Sequence, residues 1–467
     1  YKRQVLTRSF VWLGSGGRRT LVTQRRFVSM RNPHLAGLET TFLAENWSGI
    51  LEVRSALDGT VVNAGVPRYR QLNGEHLVPR GTEPVGEDGI SLTVETSQSR
   101  VEVAVAARTR AVADGSIVDV ARETAQAPGW IGQELKIELA QGRPVSIEKM
   151  VMLVTSRDRA ISAPGSHTRK RLGELESFHE ALEAHVLAWG HLWRRFHLST
   201  DANVDTRRIL NVHVFHLLQT VSKHTIDLDV GVPARGWHGE AYRGHIFWDE
   251  VFIFPFLNLH LPDLTRALLQ YRYRRLPTAR RGGATAGFEG AMYPWQSGSS
   301  GRDETQTMHL NPNSGNWLPD NSHLQRHINI AVAYNVWQYF QATGDIEFLA
   351  FYGAEMLVEI ARFWSSLASY NKALDRFEIR HVMGPDEYHD AYPDADEPGL
   401  HNNAYTNIMV AWLLRRTSRA LELVPEFRRR ELVEKLGLRR EEEERWEELC
   451  RKLAVPFHGD RIISQFE

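Results

Sequence analysis

The sequence predicts an antiparallel β-sandwich followed by a helical domain of the α/α toroid type. Three observations carry this expectation. Residues 1 to about 165 hold short runs of alternating apolar and polar residues broken by tight-turn signals. From about residue 203 onward the apolar spacing is helical to the end. Between those helices lie long polar loops rich in Gly, Pro and Trp, at 229–248, 287–322 and 376–402. In an α/α toroid such loops gather at one end of the barrel, and loops of this size in a compact domain usually carry function.

The strand candidates are Thr20–Val28, Leu35–Ala44, Ile50–Ser55, Ile90–Thr96, Val101–Arg108 and Glu134–Leu139. Gly14-Ser15-Gly16-Gly17, Asp58-Gly59, Asp88-Gly89 and Asp114-Gly115 supply the turns. The Gly14–Gly17 run has no helix after it, so it reads as a hairpin turn and not as a phosphate loop. Pro164-Gly165 is expected to end the β region, and Leu172–Arg195 shows helical spacing. The expected division is a β-sandwich over 1–165, a helical linker over 166–202 and a helical barrel from 203 to 467. Helices are expected over Arg207–Val221, Leu264–Tyr273, Leu324–Thr343, Ile346–Leu367, Ala404–Leu423 and Arg428–Leu436.

Composition excludes several classes. Of 467 residues, 56 are Lys or Arg and 57 are Asp or Glu, giving a net charge of -1. That balance offers no electrostatic footprint for nucleic acid or an anionic membrane. Basic clusters such as Arg428-Arg429-Arg430 are interleaved with Glu and read as solvated helix faces. No stretch is long and apolar enough to span a membrane as a helix. The single cysteine, Cys450, rules out a disulfide framework within the chain and a multi-thiolate metal site, and it favours a reducing, cytoplasmic setting. The His213/His216 and His323/His327 pairs lack an HExxH pattern, so no metal and no organic cofactor is expected. Tyr1–Phe10 reads as mid-strand and Ile462–Glu467 as part of an unfinished element, so the chain is expected to continue at both ends. Asn46-Trp47-Ser48 matches a glycosylation sequon.

Each of the three loops places carboxylates or amides beside aromatic residues. The first runs from Gly236 to Glu250 and pairs Trp248 with Asp249, an aromatic face beside an acceptor for hydroxyl hydrogen bonds. Asp249 and Glu250 also suit a helix start, where acids complement the helix dipole. The second holds Tyr293-Pro294-Trp295-Gln296-Ser297-Gly298 and Gly301-Arg302-Asp303-Glu304-Thr305, which also reads as an irregular turn-rich loop. The third reads Met383-Gly384-Pro385-Asp386-Glu387-Tyr388-His389, then His401-Asn402-Asn403 before a helix at Ala404. A carboxyl at Glu387 set against aromatic surface would have its pKa raised, as a general acid requires. Asn402 and Asn403 suit a helix cap.

At these loops the sequence resembles glycoside hydrolase family 65. The residues that carry the likeness are Gly239-Glu240-Ala241-Tyr242, Phe247-Trp248-Asp249, Tyr293-Pro294-Trp295, His327-Ile328-Asn329, Gly384 to His389 and Asn402 to Asn407. The resemblance implies a β-sandwich, a helical linker and an (α/α)6 barrel incomplete at the C-terminus. It makes Glu387 the proton donor, sets Trp248 and Asp249 around the transferred glucose, and puts Trp295, Gln296 and Glu304 toward the leaving sugar. Tyr388 and His389 flank the acid and join the substrate-binding set. It further implies inverting cleavage of an α-linked glucose disaccharide, kojibiose-like or trehalose-like, with inorganic phosphate as co-substrate, and a homodimer. A Lys-Gln pair and a phosphate-binding loop are implied beyond residue 467. A family hydrolase and a non-catalytic carbohydrate-binding scaffold stand as alternatives.

Overall fold

The computed structural model describes residues 4–237, 239–386, 389–459 and 461–467. They form two compact units: residues 1–64 with 69–211, and residues 65–68 with 212–467.

The first unit contains β1 (Leu6–Leu13), β2 (Arg19–Val28), β3 (Leu35–Ala44), β4 (Gly49–Asp58), β5 (Leu77–Val85), β6 (Gly89–Thr96), β7 (Glu102–Ala113), β8 (Ser116–Val118), β9 (Ala121–Ala127), β10 (Trp130–Leu139) and β11 (Pro144–Thr155). Its larger sheet runs β1-β2-β3-β11-β7-β6-β5, with β8 beside β7; the smaller runs β4-β10-β9. All these pairings are antiparallel, and the two sheets enclose a common core. In β10, Ile131, Leu135, Ile137 and Leu139 point inward while Glu134, Lys136 and Glu138 face water, the alternation a half-buried strand requires. They meet Leu51, Ala111, Val145 and Ile147 in one cluster, and Leu57, Ile90, Leu92 and Val94 surround Ile131 in the next.

The other face of the larger sheet is covered by a helix. α1 (Pro164–Leu172) is followed by α2 (Phe178–Phe196), and Phe178 and Ala181 pack on Phe27, Leu35 and Met150. Gly37 allows this approach, because a Cβ there would lie 2.8 Å from the Phe27 ring and 3.0 Å from that of Phe178.

The expected strands and hairpin turns are present, Gly14–Gly17 included; of the four strands of this unit not anticipated, β5, β8, β9 and β11, the three longer ones have physical reasons. β5 carries Pro79, Gly81 and Pro84 and is an edge strand with a bulge. β9 is an exposed strand of short and polar residues. β11 is central, but its Glu148-Lys149 pair interrupts the apolar pattern. Lys149 is satisfied inside by donating to the Ala56 carbonyl at 2.6 Å, and burial pushes its pKa down. Pro164 follows the last strand of the β region and opens α1, where its fixed φ and missing N–H cost nothing. One expectation needs correction. The continuous helix expected over Leu172–Arg195 is two helices, because a capping box between Ser177 and Glu180 starts α2 afresh. Tyr1–Arg3, part of the segment read as mid-strand, lie outside the described residues. Both ends of the Asn46 amide are engaged, accepting from Arg19 N (2.8 Å) and donating to Gly17 O (3.0 Å), so this side chain locks the β1–β2 hairpin.

The second unit is helical: α3 (Val204–Thr220, its first half in the other unit), α4 (Glu250–His260), α5 (Pro262–Arg274), α6 (Leu276–Thr285), α7 (Ile328–Thr343), α8 (Ile346–Phe348), a π-helical turn (Leu349–Gly353), α9 (Ala354–Leu367), α10 (Ala404–Leu423), α11 (Glu426–Leu436) and α12 (Arg440–Lys452). α7 is buried nearly all round and touches α4, α5, α9 and α10. α12 buries only Trp446 and Leu449. Inner helices are thus backed by outer amphipathic ones. Among the described residues no helix is long and apolar enough to cross a membrane.

Candidate active site

The first two loops are tied by backbone before any side chain is considered. Pro233 bridges Ile246, Ile246 bridges Ser297 and Ser297 bridges Asp303 in a short antiparallel ladder. Ile246 and Ser297 exchange N–H···O bonds of 2.9 and 3.1 Å, and Glu304 N donates to Gln296 O at 3.0 Å. Beneath it lies a buried ion pair. Glu250, at the first turn of α4, accepts from Arg272 of α5 at 2.9 and 3.1 Å, and Arg272 also donates to the Phe247 carbonyl at 2.8 Å. Both residues are about 2% exposed or less. Burial disfavours the Arg272 cation, but the Glu250 carboxylate outweighs it and leaves the guanidinium more basic than usual.

On this base Trp248 and Trp295 come together, their rings 6.2 Å apart. His327, immediately before α7, sits against both, at 4.8 Å from Trp248 and 5.0 Å from Trp295. Phe247 meets Trp295 edge-on at 5.4 Å, and Tyr405 closes on His327 at 6.3 Å. Asn329, in the first turn of α7, grips the second loop by accepting from Tyr293 N at 2.6 Å and donating to Tyr293 O at 3.2 Å.

Asp249 occupies the N-cap position of α4 but makes no side-chain capping bond there. Burial holds its carboxyl above the ordinary range; the Glu250 charge adds to this and a backbone N–H opposes it. A half-buried carboxyl next in sequence to Trp248 is suited to accept hydroxyl hydrogen bonds. Gln296 is 7% exposed, and its carbonyl is already engaged, accepting from His245 Nδ1 at 3.2 Å and Arg243 Nη2 at 3.4 Å. Glu304 is paired with Arg302 at 2.5 Å. Tyr242 and Arg243 hold positive φ, 61° and 55°, a costly conformation for residues with a Cβ. Among the described residues no three His, Cys, Asp or Glu side chains gather to hold a metal ion.

The third loop is anchored at both ends. Met383 N donates to Leu324 O at 2.9 Å, three residues from His327. At the far end Asn403 caps α10, its Oδ1 accepting from Thr406 N and Thr406 Oγ1 at 3.0 Å each. Asn402 supports the cap instead of sharing it, binding Ile379 N, Asn407 and Glu467. A Cβ on Gly384 would lie 2.8 Å from Asn403 Nδ2, so the loop passes close over the cap. Replacing Asn403 by Ala is expected to lower stability by about 1 kcal/mol, read by urea unfolding. Glu387 and Tyr388 lie outside the described residues. His389 is set against Phe466 at 5.2 Å and lies 3.9 Å from Asp386.

Of the residues singled out in the sequence, Trp248 and Trp295 meet, with Asp249 next along the chain at the start of α4. Gln296 and Glu304 lie beside it, engaged with neighbours, and His389 contacts a different set. His327 enters the sequence reading only through the family likeness and a discounted histidine pair, not as a site residue. Its signal is structural: it is 1% exposed, and neither ring nitrogen has a hydrogen-bond partner of ordinary geometry among the described residues. Burial lowers its pKa from 6.5 to about 4, weakly opposed by the nearby Met383 backbone. The folded ring therefore stays neutral while the unfolded chain takes up a proton below pH 6.5. Stability from this source is complete above about pH 6.5, falls as pH approaches 4 and is level below it. The expected loss at pH 5 is roughly 2 kcal/mol, and His327→Phe should flatten that slope. Equal slopes for both proteins in thermal unfolding at pH 7 and pH 5 would rule the ring out as the source.

Comparison with known proteins bears on these observations. Residues 1–192 match the model of the glycosyl hydrolase family 65 N-terminal domain, and residues 211–467 match that of the family's central catalytic domain. An uncharacterized glycosyl hydrolase of Mycobacterium tuberculosis is 47% identical over 466 residues, which are 100% of this chain and 35% of that protein. A kojibiose phosphorylase of Caldanaerobacter subterraneus is 33% identical over 488 residues, 100% of this chain and 60% of that protein. The chain thus spans well under two thirds of the length of these relatives. A solved structure titled a putative kojibiose phosphorylase from human microbiome superposes with a TM-score of 0.81 at 20% identity, covering 100% of this chain and 57% of that one, which shows the fold. The chain belongs to glycosyl hydrolase family 65.

Proposed function

We propose that the protein containing this chain cleaves an α-linked glucose disaccharide with inversion, using inorganic phosphate as the nucleophile. The observation that carries this reading is the meeting of Trp248 and Trp295 against His327, with the Asp249 carboxyl following Trp248 at the start of α4. Flat indole faces match the C–H faces of a pyranose, and a carboxylate fixes its hydroxyls. The name of the Caldanaerobacter relative supports phosphate over water as the attacking group.

In this mechanism Glu387 protonates the bridging oxygen as the bond to the anomeric carbon breaks. Phosphate attacks that carbon from the opposite face, the leaving sugar departs with the proton, and β-glucose 1-phosphate is the other product. Positive charge develops on the sugar ring, and positioning by Trp248, Trp295 and Asp249 lowers the barrier by holding the ring in line. Trp295, Gln296 and Glu304 lie toward the leaving sugar, Gln296 by orienting His245 and Arg243.

The test is product analysis on the full-length protein with kojibiose, trehalose, nigerose and maltose, with and without phosphate. β-Glucose 1-phosphate formed only with phosphate is the expected result, and the disaccharide consumed names the substrate. Glucose released without phosphate would make the enzyme a hydrolase. No turnover on any of them would favour a carbohydrate-binding role on the same scaffold.

A further inference from the structure

A cavity of about 540 Å³ lies in the β-sandwich and is lined by no residue of the three loops. Trp12, Arg18, Trp47, Ile50, Glu52 and Lys136 are among its walls. Its volume is that of a small-molecule site. Trp12, at the end of β1, faces Thr20 of β2 in register, and Glu52 of β4 faces Lys136 of β10.

Both indoles are presented. Trp47 is fixed by donating its Nε1–H to Thr20 Oγ1 at 3.0 Å, and the Arg18 guanidinium lies over its ring at 5.3 Å. Trp12 is 50% exposed on an edge strand and has no ring partner among the described residues.

The charges are arranged just as tellingly. Two opposite-charge pairs stand two residues apart on the same face of β4 and β10. Arg54 and Glu134 close into an ion pair. Glu52 and Lys136, at the cavity, make no ion pair or side-chain hydrogen bond among the described residues, and the Arg18 side chain makes none either. One carboxylate and one cation are therefore left open beside two indoles, with the Arg18 guanidinium lying on the Trp47 ring.

A pyranose chain matches this set. Its C–H faces stack on indoles, and its hydroxyls donate to Glu52 while accepting from Arg18 and Lys136. An apolar segment in the same place would desolvate three charges without pairing them. We infer that this cavity is a second carbohydrate site, which binds the glucosyl units of an α-glucan chain apart from the active-site loops. Its carbohydrate chemistry rests on the cavity alone; the α linkage rests on the function proposed above.

Affinity electrophoresis of the chain through gels containing soluble starch or a β-glucan tests this. Retardation in starch is expected, weakened about tenfold by Trp12→Ala through loss of a stacking surface. It should be weakened several-fold by Lys136→Ala, an exposed position that does not disturb the core. Trp248→Ala should leave it unchanged. The site is overturned by no retardation in either gel, or by retardation that survives Trp12→Ala and Lys136→Ala but is lost in Trp248→Ala. Retardation in the β-glucan alone overturns the α-glucan assignment, whereas the proposed reaction stands or falls on disaccharide turnover in the full-length protein.

Discussion

Glu387→Gln in the full-length protein is expected to lower turnover by about 10²- to 10⁴-fold, the usual contribution of a positioned general acid. KM for the disaccharide should change little, because glutamine keeps the size and hydrogen-bonding reach of the side chain. The variant should also lose the alkaline limb of the pH–rate profile, which reports deprotonation of the acid. A substrate whose leaving group needs no proton, such as an activated aryl glucoside, should be much less affected. Turnover on the disaccharide within a few-fold of wild type would remove Glu387 from the mechanism.

The second large effect concerns stability. Arg272→Met leaves the Glu250 carboxylate buried without its cation and frees the Phe247 carbonyl of its donor. Breaking one side of a buried ion pair costs about 3–5 kcal/mol. For a unit of this size that corresponds to a fall of roughly 10 °C in the midpoint of its thermal transition. The double replacement Glu250→Met with Arg272→Met should recover much of the loss, because two apolar side chains leave no unpaired charge. A single variant as stable as wild type, by calorimetry, would show that the pair is solvated in solution. Activity should fall as well, since Phe247 adjoins Trp248 and packs on Trp295.

How far the sequence alone reaches can be judged from particular residues. The alternation in Leu35–Ala44 and the helical spacing of Ala404–Leu423 match the observed β3 and α10. There, local pattern and tertiary burial demand the same residues. α4 is harder to read, because Phe252 to Phe256 with Pro255 inside looks like an apolar strand, whereas in the fold it is a helix packed on α7 and α5. Pro164 marks the change from strands to helices, but its role as the first residue of α1 is not legible locally, since proline both ends and opens helices.

At the site, Trp248, Asp249 and Trp295 stand out by chemistry. Their convergence on His327 depends on contacts across some eighty residues of chain, which no local pattern encodes. Gln296 reads as a free amide in the sequence and proves to be held by His245 and Arg243. Polar residues are easy to list, but their prior commitments belong to three dimensions.

The ladder through Pro233, Ile246, Ser297 and Asp303 has a consequence for motion. A cleft whose two lips are separate loops can gape and snap shut, and catalysis then waits on the hinge. Here one strip of hydrogen-bonded backbone runs through both lips, so they travel as one body. The exposed rim side chains on this side are themselves held, Trp237 by the Thr220 carbonyl, Tyr242 by the Phe247 ring and Arg302 by Glu304. Sugars should therefore be sorted here by fit at the moment of arrival, without a closing step to slow their entry or release.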